Sequence, residues 1–232
     1  MTESPLIIAL DVESAIQART LVNALGVEAT LYKVGMELYA AAGMEFVREL
    51  IAGGKQVFLD LKLYDIGETV KRATAQVAQA GVRFLTVHGS RAGMLAAAAG
   101  RGSAPLQLLA VTVLTSFDQT DLADLGYACP VSDLVALRVR NAMAAGIDGI
   151  VCSPLEVAAV RSIAGQSAVL VTPGVRSAGA SAGDQKRVAT PAEALRNGAN
   201  YLVIGRQVTR AADPRAALRA IYSEIQLPAR GE

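Results

Sequence analysis

Histidine, cysteine and tryptophan are almost missing from this chain of 232 residues, which has one histidine, two cysteines and no tryptophan. A single imidazole, His88, leaves no room for a His-rich zinc site, and a Ser-His-Asp hydrolase would hang on that one residue. Cys129 and Cys152 are too few for a disulfide scaffold, and their spacing is not that of a metal knuckle. They read as plain buried or surface thiols. Charge of one sign is lacking as well. Against 22 Lys+Arg stand 21 Asp+Glu, a net charge of +1, so there is neither the basic excess nor the basic stripe with which a nucleic-acid binder holds phosphates. No segment approaches the ~18–20 uninterrupted apolar residues that span a bilayer. The start, MTESPLIIALDVESA, has no basic segment, and its apolar run of five residues is too short for a signal peptide. No composition shift or charge run marks a linker. The expectation is one cytoplasmic domain, 1–232, with a large core, in keeping with 52% hydrophobic residues.

What the chain does have is eight short apolar runs separated by Ala/Leu-rich stretches of helical period. The runs are 6–12 (LIIALDV), 30–35 (TLYKVG), 56–62 (QVFLDLK), 84–88 (FLTVH), 106–114 (LQLLAVTVL), 149–152 (GIVC), 168–173 (AVLVTP) and 201–205 (YLVIG). Near-continuous hydrophobicity, in place of strict alternation, points to strands buried on both faces, as in a parallel sheet. Helices are expected over 13–25, 37–53, 68–80, 91–100, 132–145, 155–163, 191–197 and 214–225, with Pro191 and Pro214 in first turns and Gly26, Gly81 and Gly146 past the ends. Eight strand–helix units in this length match an α/β fold of the (β/α)8 TIM-barrel type. An open doubly wound sheet would have fewer strands and a glycine-rich turn after the first, where this chain reads LDVES. Segment 174–187 (GVRSAGASAGDQKR) is long for a strand–helix loop and reads as a lid or binding loop.

Chemistry in such a barrel sits at the C-terminal ends of the strands. The polar groups there are Asp11, Lys33, Asp60, Lys62, His88, Thr112, Thr115, Thr172 and Arg206. Four charges of alternating sign come from three consecutive strands, and charges are rarely buried in core strands unless paired. Asp60 and Lys62 are two apart, so on a strand they share a face. Such a charge-balanced network holds a lysine protonated and in place, which suits proton donation and electrostatics, whereas a Schiff-base lysine prefers an apolar or cationic setting. After the eighth run, Gly205 lets a ligand approach the backbone and Arg206 can clamp an anion, in the region where barrels commonly bind phosphate. Arg176 and Gln185, in the loop after strand seven, are placed to close over the same group. His88 alone reads as a hydrogen-bonded structural residue.

The segment FLDLKLYDIGET, 58–69, carries the pattern D-x-K-x-x-D-I-x-x-T. It resembles the signature of the orotidine 5′-monophosphate (OMP) decarboxylase family, and the resemblance runs along nearly the whole chain. It takes in ALDV around Asp11, YKVG around Lys33, TVHGS around His88, VTVLTS around Thr115, VTPGVR around Arg176, GDQKR around Gln185 and VIGR around Arg206. Order and spacing are those of the bacterial branch. The D-x-K-x-x-D element is shared with related phosphosugar enzymes, and the later elements make the resemblance specific. It implies loss of CO2 from OMP to give uridine 5′-monophosphate (UMP), the last step of de novo pyrimidine nucleotide synthesis, with no metal and no organic cofactor. It assigns Lys62 as proton donor to C6, with Asp60 beside the departing carboxylate and Lys33 completing the charged array. Asp11 and Lys33 would bind ribose hydroxyls, Thr115 the pyrimidine, and Arg176, Gln185, Gly205 and Arg206 the phosphate. Asp65 and Thr69 would reach into the partner subunit's site, making the active form a homodimer. Two rivals stand beside this reading. One is a metal-dependent phosphosugar lyase of the same superfamily, whose metal would meet Lys33 where a carboxylate is needed. The other is a non-catalytic nucleotide-binding barrel, which would have no need of a proton donor.

Overall fold

Each apolar run pairs with the next in chain order, and the last pairs with the first. The computed structural model describes residues 4–177 and 189–226. Along them run β1 (Leu6–Ala9), α1 (Ala15–Leu25), a 3₁₀ turn (Gly26–Glu28), β2 (Leu31–Gly35), α2 (Met36–Ala52), β3 (Gln56–Leu63), α3 (Gly67–Gln79), β4 (Phe84–His88) and α4 (Arg91–Arg101). Then follow β5 (Gln107–Val111), α5 (Gln119–Asp124), α6 (Val131–Ala144), β6 (Gly149–Val151), α7 (Val157–Ala164), β7 (Val169–Thr172), α8 (Pro191–Arg196), β8 (Tyr201–Ile204), α9 (Arg206–Thr209) and α10 (Pro214–Gln226). All the pairings are parallel and the sheet closes, which is the expected (β/α)8 TIM barrel.

The strands are apolar on both faces because each face is covered. One set of side chains, including Ile7, Leu31, Phe58, Phe84, Leu109 and Val171, fills the barrel, while their neighbours Leu6, Ile8, Leu59, Leu85 and Leu170 pack under the helices. Phe58 meets Phe84 edge-on with ring centroids 6.1 Å apart, an arrangement that contributes about 0.5–1.5 kcal/mol beyond the area it buries. At the N-terminal end of β4 the Arg83 guanidinium stacks over Phe84 at 4.7 Å and Tyr201 at 5.2 Å, and donates hydrogen bonds to the Gln56 side chain and the Tyr201 hydroxyl. The floor of the barrel is thereby closed, and the C-terminal end is left for a ligand.

Local signals set several helix ends. Ser14 caps α1 by accepting from the Gln17 N–H, and α8 starts on a reciprocal Thr190–Glu193 capping box with Pro191 at its first position. Gly100 has no room for a side chain, since a Cβ there would lie 2.1 Å from the Lys71 carbonyl oxygen. That close approach seats α4 on α3. Two short helices, α5 and α9, were not expected. α5 is announced by the Asp118–Asp121 capping box, whereas four residues are too few for α9 to show any period. α2 is also not the continuous helix its period suggests, for Gly43, at φ 62°, breaks it in two. Among the described residues no helix is long and apolar enough to cross a membrane, and Cys129, half-buried, and Cys152, buried, form no disulfide.

Candidate active site

The four charges read from the first three strands converge at the open end of the barrel. The Lys33 ammonium donates to Asp11 Oδ1 at 2.7 Å and lies 3.9 Å from Asp60 Oδ2, while Lys62 Nζ donates to Asp60 Oδ1 at 3.0 Å. Signs therefore alternate in space as Asp11, Lys33, Asp60, Lys62. The two central side chains are well buried, Lys33 at 11% and Asp60 at 15% exposure, so solvent screens their interaction less than it does a surface pair. The glycine of YKVG belongs to this arrangement. A Cβ on Gly35 would fall 2.9 Å from Lys33 Nζ and 3.2 Å from Asp11 Oδ1, pushing the ammonium off its carboxylate.

These side chains form one wall of a cavity of about 410 Å³. A second wall, joined to the first where β8 pairs with β1, comes from the ends of β7 and β8 and carries Arg176, Arg206 and Arg210, with Gly205 between strand and helix. Thr115 and the apolar Val111, Val113 and Val151, from β5, the segment after it and β6, complete the lining. The β7 connection is tied to α9 by Gln207, whose Nε2 donates to Ser177 Oγ at 2.6 Å and whose Oε1 accepts the Ser177 N–H at 3.2 Å. The Arg176 N–H donates to the Ala189 carbonyl at 3.0 Å, which holds this arginine at the rim. A cationic wall and a charge-balanced one lining the same cavity suit a small anionic molecule whose other end carries hydroxyls and a group in need of a proton. Among the described residues no group of three or more His, Cys, Asp or Glu is placed to hold a metal ion, and the two carboxylates of the array already face lysines.

Comparison with known proteins agrees with this geometry. The model of the orotidine 5′-phosphate decarboxylase / HUMPS family matches residues 4–221. The chain belongs to that family. It is similar to the orotidine 5′-phosphate decarboxylase of Bradyrhizobium sp. (strain ORS 278), 54% identical over 220 residues that make up 95% of this chain and 90% of that protein. It is also 53% identical over 223 residues to the enzyme of the same name from Methylobacterium sp. (strain 4-46), covering 95% and 94% of the two chains. The crystal structure of orotidine 5′-phosphate decarboxylase from Lactobacillus acidophilus superposes with a TM-score of 0.85 at 34% identity, over 97% of this chain and all of that one. The family resemblance read from the motifs and the barrel read from the eight strand–helix units are both borne out.

Of the residues that the decarboxylase signature singles out, the cavity gathers Asp11, Lys33, Asp60, Lys62, Thr115, Arg176, Gly205 and Arg206. It does not gather Asp65 and Thr69. Both are exposed, on the β3–α3 connection and in the first turn of α3, and Asp65 Oδ1 accepts the Ile66 N–H at 2.6 Å. Gln185, and segment 174–187 from residue 178 onward, lie outside the described residues.

Three strand-end residues differ from their sequence reading. His88 is not the hydrogen-bonded structural residue expected, because its buried Nδ1 has no partner and its ring packs on Tyr64 at 4.3 Å. Burial, and then the nearby Arg138, hold the imidazole below its ordinary pKa. Thr112 and Thr172 are absent from the cavity lining, since each follows an inward residue, Val111 and Val171, and so turns outward. Glu37, Thr209 and Arg210 line the cavity without having been singled out. Glu37 sits in the first turn of α2, and Thr209 and Arg210 at the end of and just beyond the short α9. Their position within a turn of a strand-end motif was the available signal.

Proposed function

We propose that the protein decarboxylates OMP to UMP in the cytoplasm, as part of pyrimidine nucleotide synthesis, with no metal or organic cofactor. The observation that carries this reading is the Asp11–Lys33–Asp60–Lys62 array lining one cavity with two arginines, Arg176 and Arg206. The arginines take the 5′-phosphate, Asp11 and Lys33 the ribose hydroxyls, and Thr115 the pyrimidine. The bond from C6 to its carboxylate breaks, CO2 leaves, and the electron pair stays on C6 in the ring plane, where no π system can spread it. The Lys62 ammonium stabilises that pair and passes its proton to C6, giving UMP, and the amine regains a proton from water. Asp60 holds Lys62 at 3.0 Å and flanks the departing carboxylate. The stabilising charge is in place before the reaction, so little reorganisation is needed at the transition state. A phosphosugar lyase reading fits less well, because its divalent cation would meet the Lys33 ammonium.

The active form is a homodimer in which Asp65 and Thr69 serve the partner's site. Support comes from their exposure outside their own cavity and from Tyr64 and Ile66, apolar residues that flank Asp65 with 71% and 78% of their surfaces exposed. Apolar side chains clustered so at a barrel mouth are what an interface buries.

Mixing the protein with OMP in EDTA and following the pyrimidine absorbance tests the reaction, and an unchanged spectrum would refute it. Arg206→Ala should lower kcat/KM by about 100-fold or more, about 2.7 kcal/mol of transition-state stabilisation, because phosphate contacts far from C6 supply binding energy that assists the chemical step. Orotidine, which lacks the phosphate, should be a poor substrate for the unmodified protein. Turnover of orotidine at the rate of OMP would contradict this account.

A further inference from the structure

The reactive lysine sits on an unusual piece of backbone. Lys62 has φ 50°, the one positive value among the described non-glycine residues, and left-handed backbone costs an ordinary side chain about 1–2 kcal/mol. It stands in a break of the β3–β4 ladder. Leu59 is paired with Leu85 and the next pair is Leu63 with Val87, so four steps along β3 oppose two along β4. Residues 60–62 bulge away from β4 and have no paired residue there, although Asp60 stays paired with Gly35 of β2. Opposite the bulge is Thr86, wholly buried above Phe84 in the barrel. Its Oγ1 accepts the Lys62 backbone N–H at 2.8 Å and donates to Asp60 Oδ1 at 2.9 Å. One hydroxyl thus grips both ends of the Asp-x-Lys unit. Asp60 Oδ1 receives Thr86 and Lys62 Nζ together, which leaves Oδ2 facing Lys33.

We propose that Thr86 is a positioning residue for the decarboxylation. Its hydroxyl replaces the missing ladder partner of Lys62, keeps that residue in its left-handed conformation, and sets the rotation of the Asp60 carboxylate against which the ammonium is aimed. The proposal rests on the decarboxylase reading above. A hydroxyl that merely satisfied a buried bulge would matter for folding and for ground-state binding alike. One that aims Lys62 should matter chiefly in the transition state, where a small displacement of the ammonium is costly.

The test compares Thr86→Val, which keeps the shape and removes the hydroxyl, with Thr86→Ser, which keeps the hydroxyl, reading kcat and KM for OMP, the Kd for UMP and the melting temperature. The valine variant should lose at least tenfold in kcat, with KM and the UMP Kd within threefold of the unmodified protein. The serine variant should recover kcat to within threefold. A valine variant with less than a tenfold loss in kcat, or one that loses UMP binding in parallel and is not restored by serine, overturns the proposal. If valine does not fold, Thr86→Ala is the second variant, read against the same thresholds. Failure of both to fold would assign the hydroxyl to folding and also overturn it. An unmodified protein that left OMP intact would instead refute the decarboxylase reading, so the two failures are distinct.

Discussion

Lys62→Ala abolishes OMP turnover while the variant stays folded and still binds UMP. The side chain is removed from the point where the proposed reaction develops charge, whereas Arg176, Arg206, Asp11 and Lys33, the proposed phosphate and ribose contacts in the same cavity, are untouched. An interaction made mainly in the transition state appears in kcat and leaves product affinity largely intact. The fold should tolerate the change because Lys62 is partly exposed and Asp60 keeps two partners, the Thr86 hydroxyl at 2.9 Å and Lys33 at 3.9 Å. Alanine at φ 50° retains the strain that lysine bears there, so Lys62→Gly, free of that strain, should melt no lower than Lys62→Ala. Single-turnover assays with UMP titration as the control are the measurement. Retention of kcat within about tenfold, a loss of only ~1.4 kcal/mol, would remove Lys62 from the role of proton donor.

Mixing two inactive variants restores activity. If Asp65 serves the neighbouring site while Lys62 serves its own, the Lys62→Ala and Asp65→Ala homodimers are each severely impaired. In a mixed dimer, the subunit carrying Asp65→Ala keeps its own Lys62 and borrows Asp65 from its partner, so that site is whole. The other site carries both defects. With random exchange about half of the dimers are mixed, and each has one good site of two, so roughly a quarter of normal activity returns. The placement of Asp65 motivates the experiment, since it is exposed, bonded to the Ile66 N–H, and outside the cavity that gathers Lys62. Co-refolding the variants and assaying OMP loss decides the matter. No recovery from proven heterodimers would put Asp65 in its own subunit's site.

Much of the site was legible because its residues are strand-end breaks in otherwise apolar runs. Asp11, Lys33, Asp60 and Lys62 stand out in LDV, YKVG and LDLK, and burial of lone charges is so unfavourable that their pairing could be inferred without coordinates. Gly205 and Arg206 were legible in the same way, from their position after the eighth run. His88 was misread because a lone histidine in FLTVH says nothing of which atoms surround it, and only the packed neighbours leave its Nδ1 without a partner. Thr86 was passed over for a related reason. A threonine inside an apolar strand looks like ordinary β propensity, and its value depends on a bulge in the strand beside it.

By itself the sequence determined the eight parallel strands, the longer helices between them, and the order in which the charged residues and the proposed phosphate-binding ones reach the barrel mouth. Each of these depends on local periodicity, on caps and on the cost of burying an unpaired charge, all of which act over a few residues. Only the tertiary structure decided the left-handed Lys62, the Thr86 hydroxyl that grips Asp60 and Lys62 together, the space that Gly35 leaves for the Lys33–Asp11 pair, and the exclusion of Asp65 from its own cavity. These depend on register and close approach between segments far apart in the chain, which no local pattern encodes.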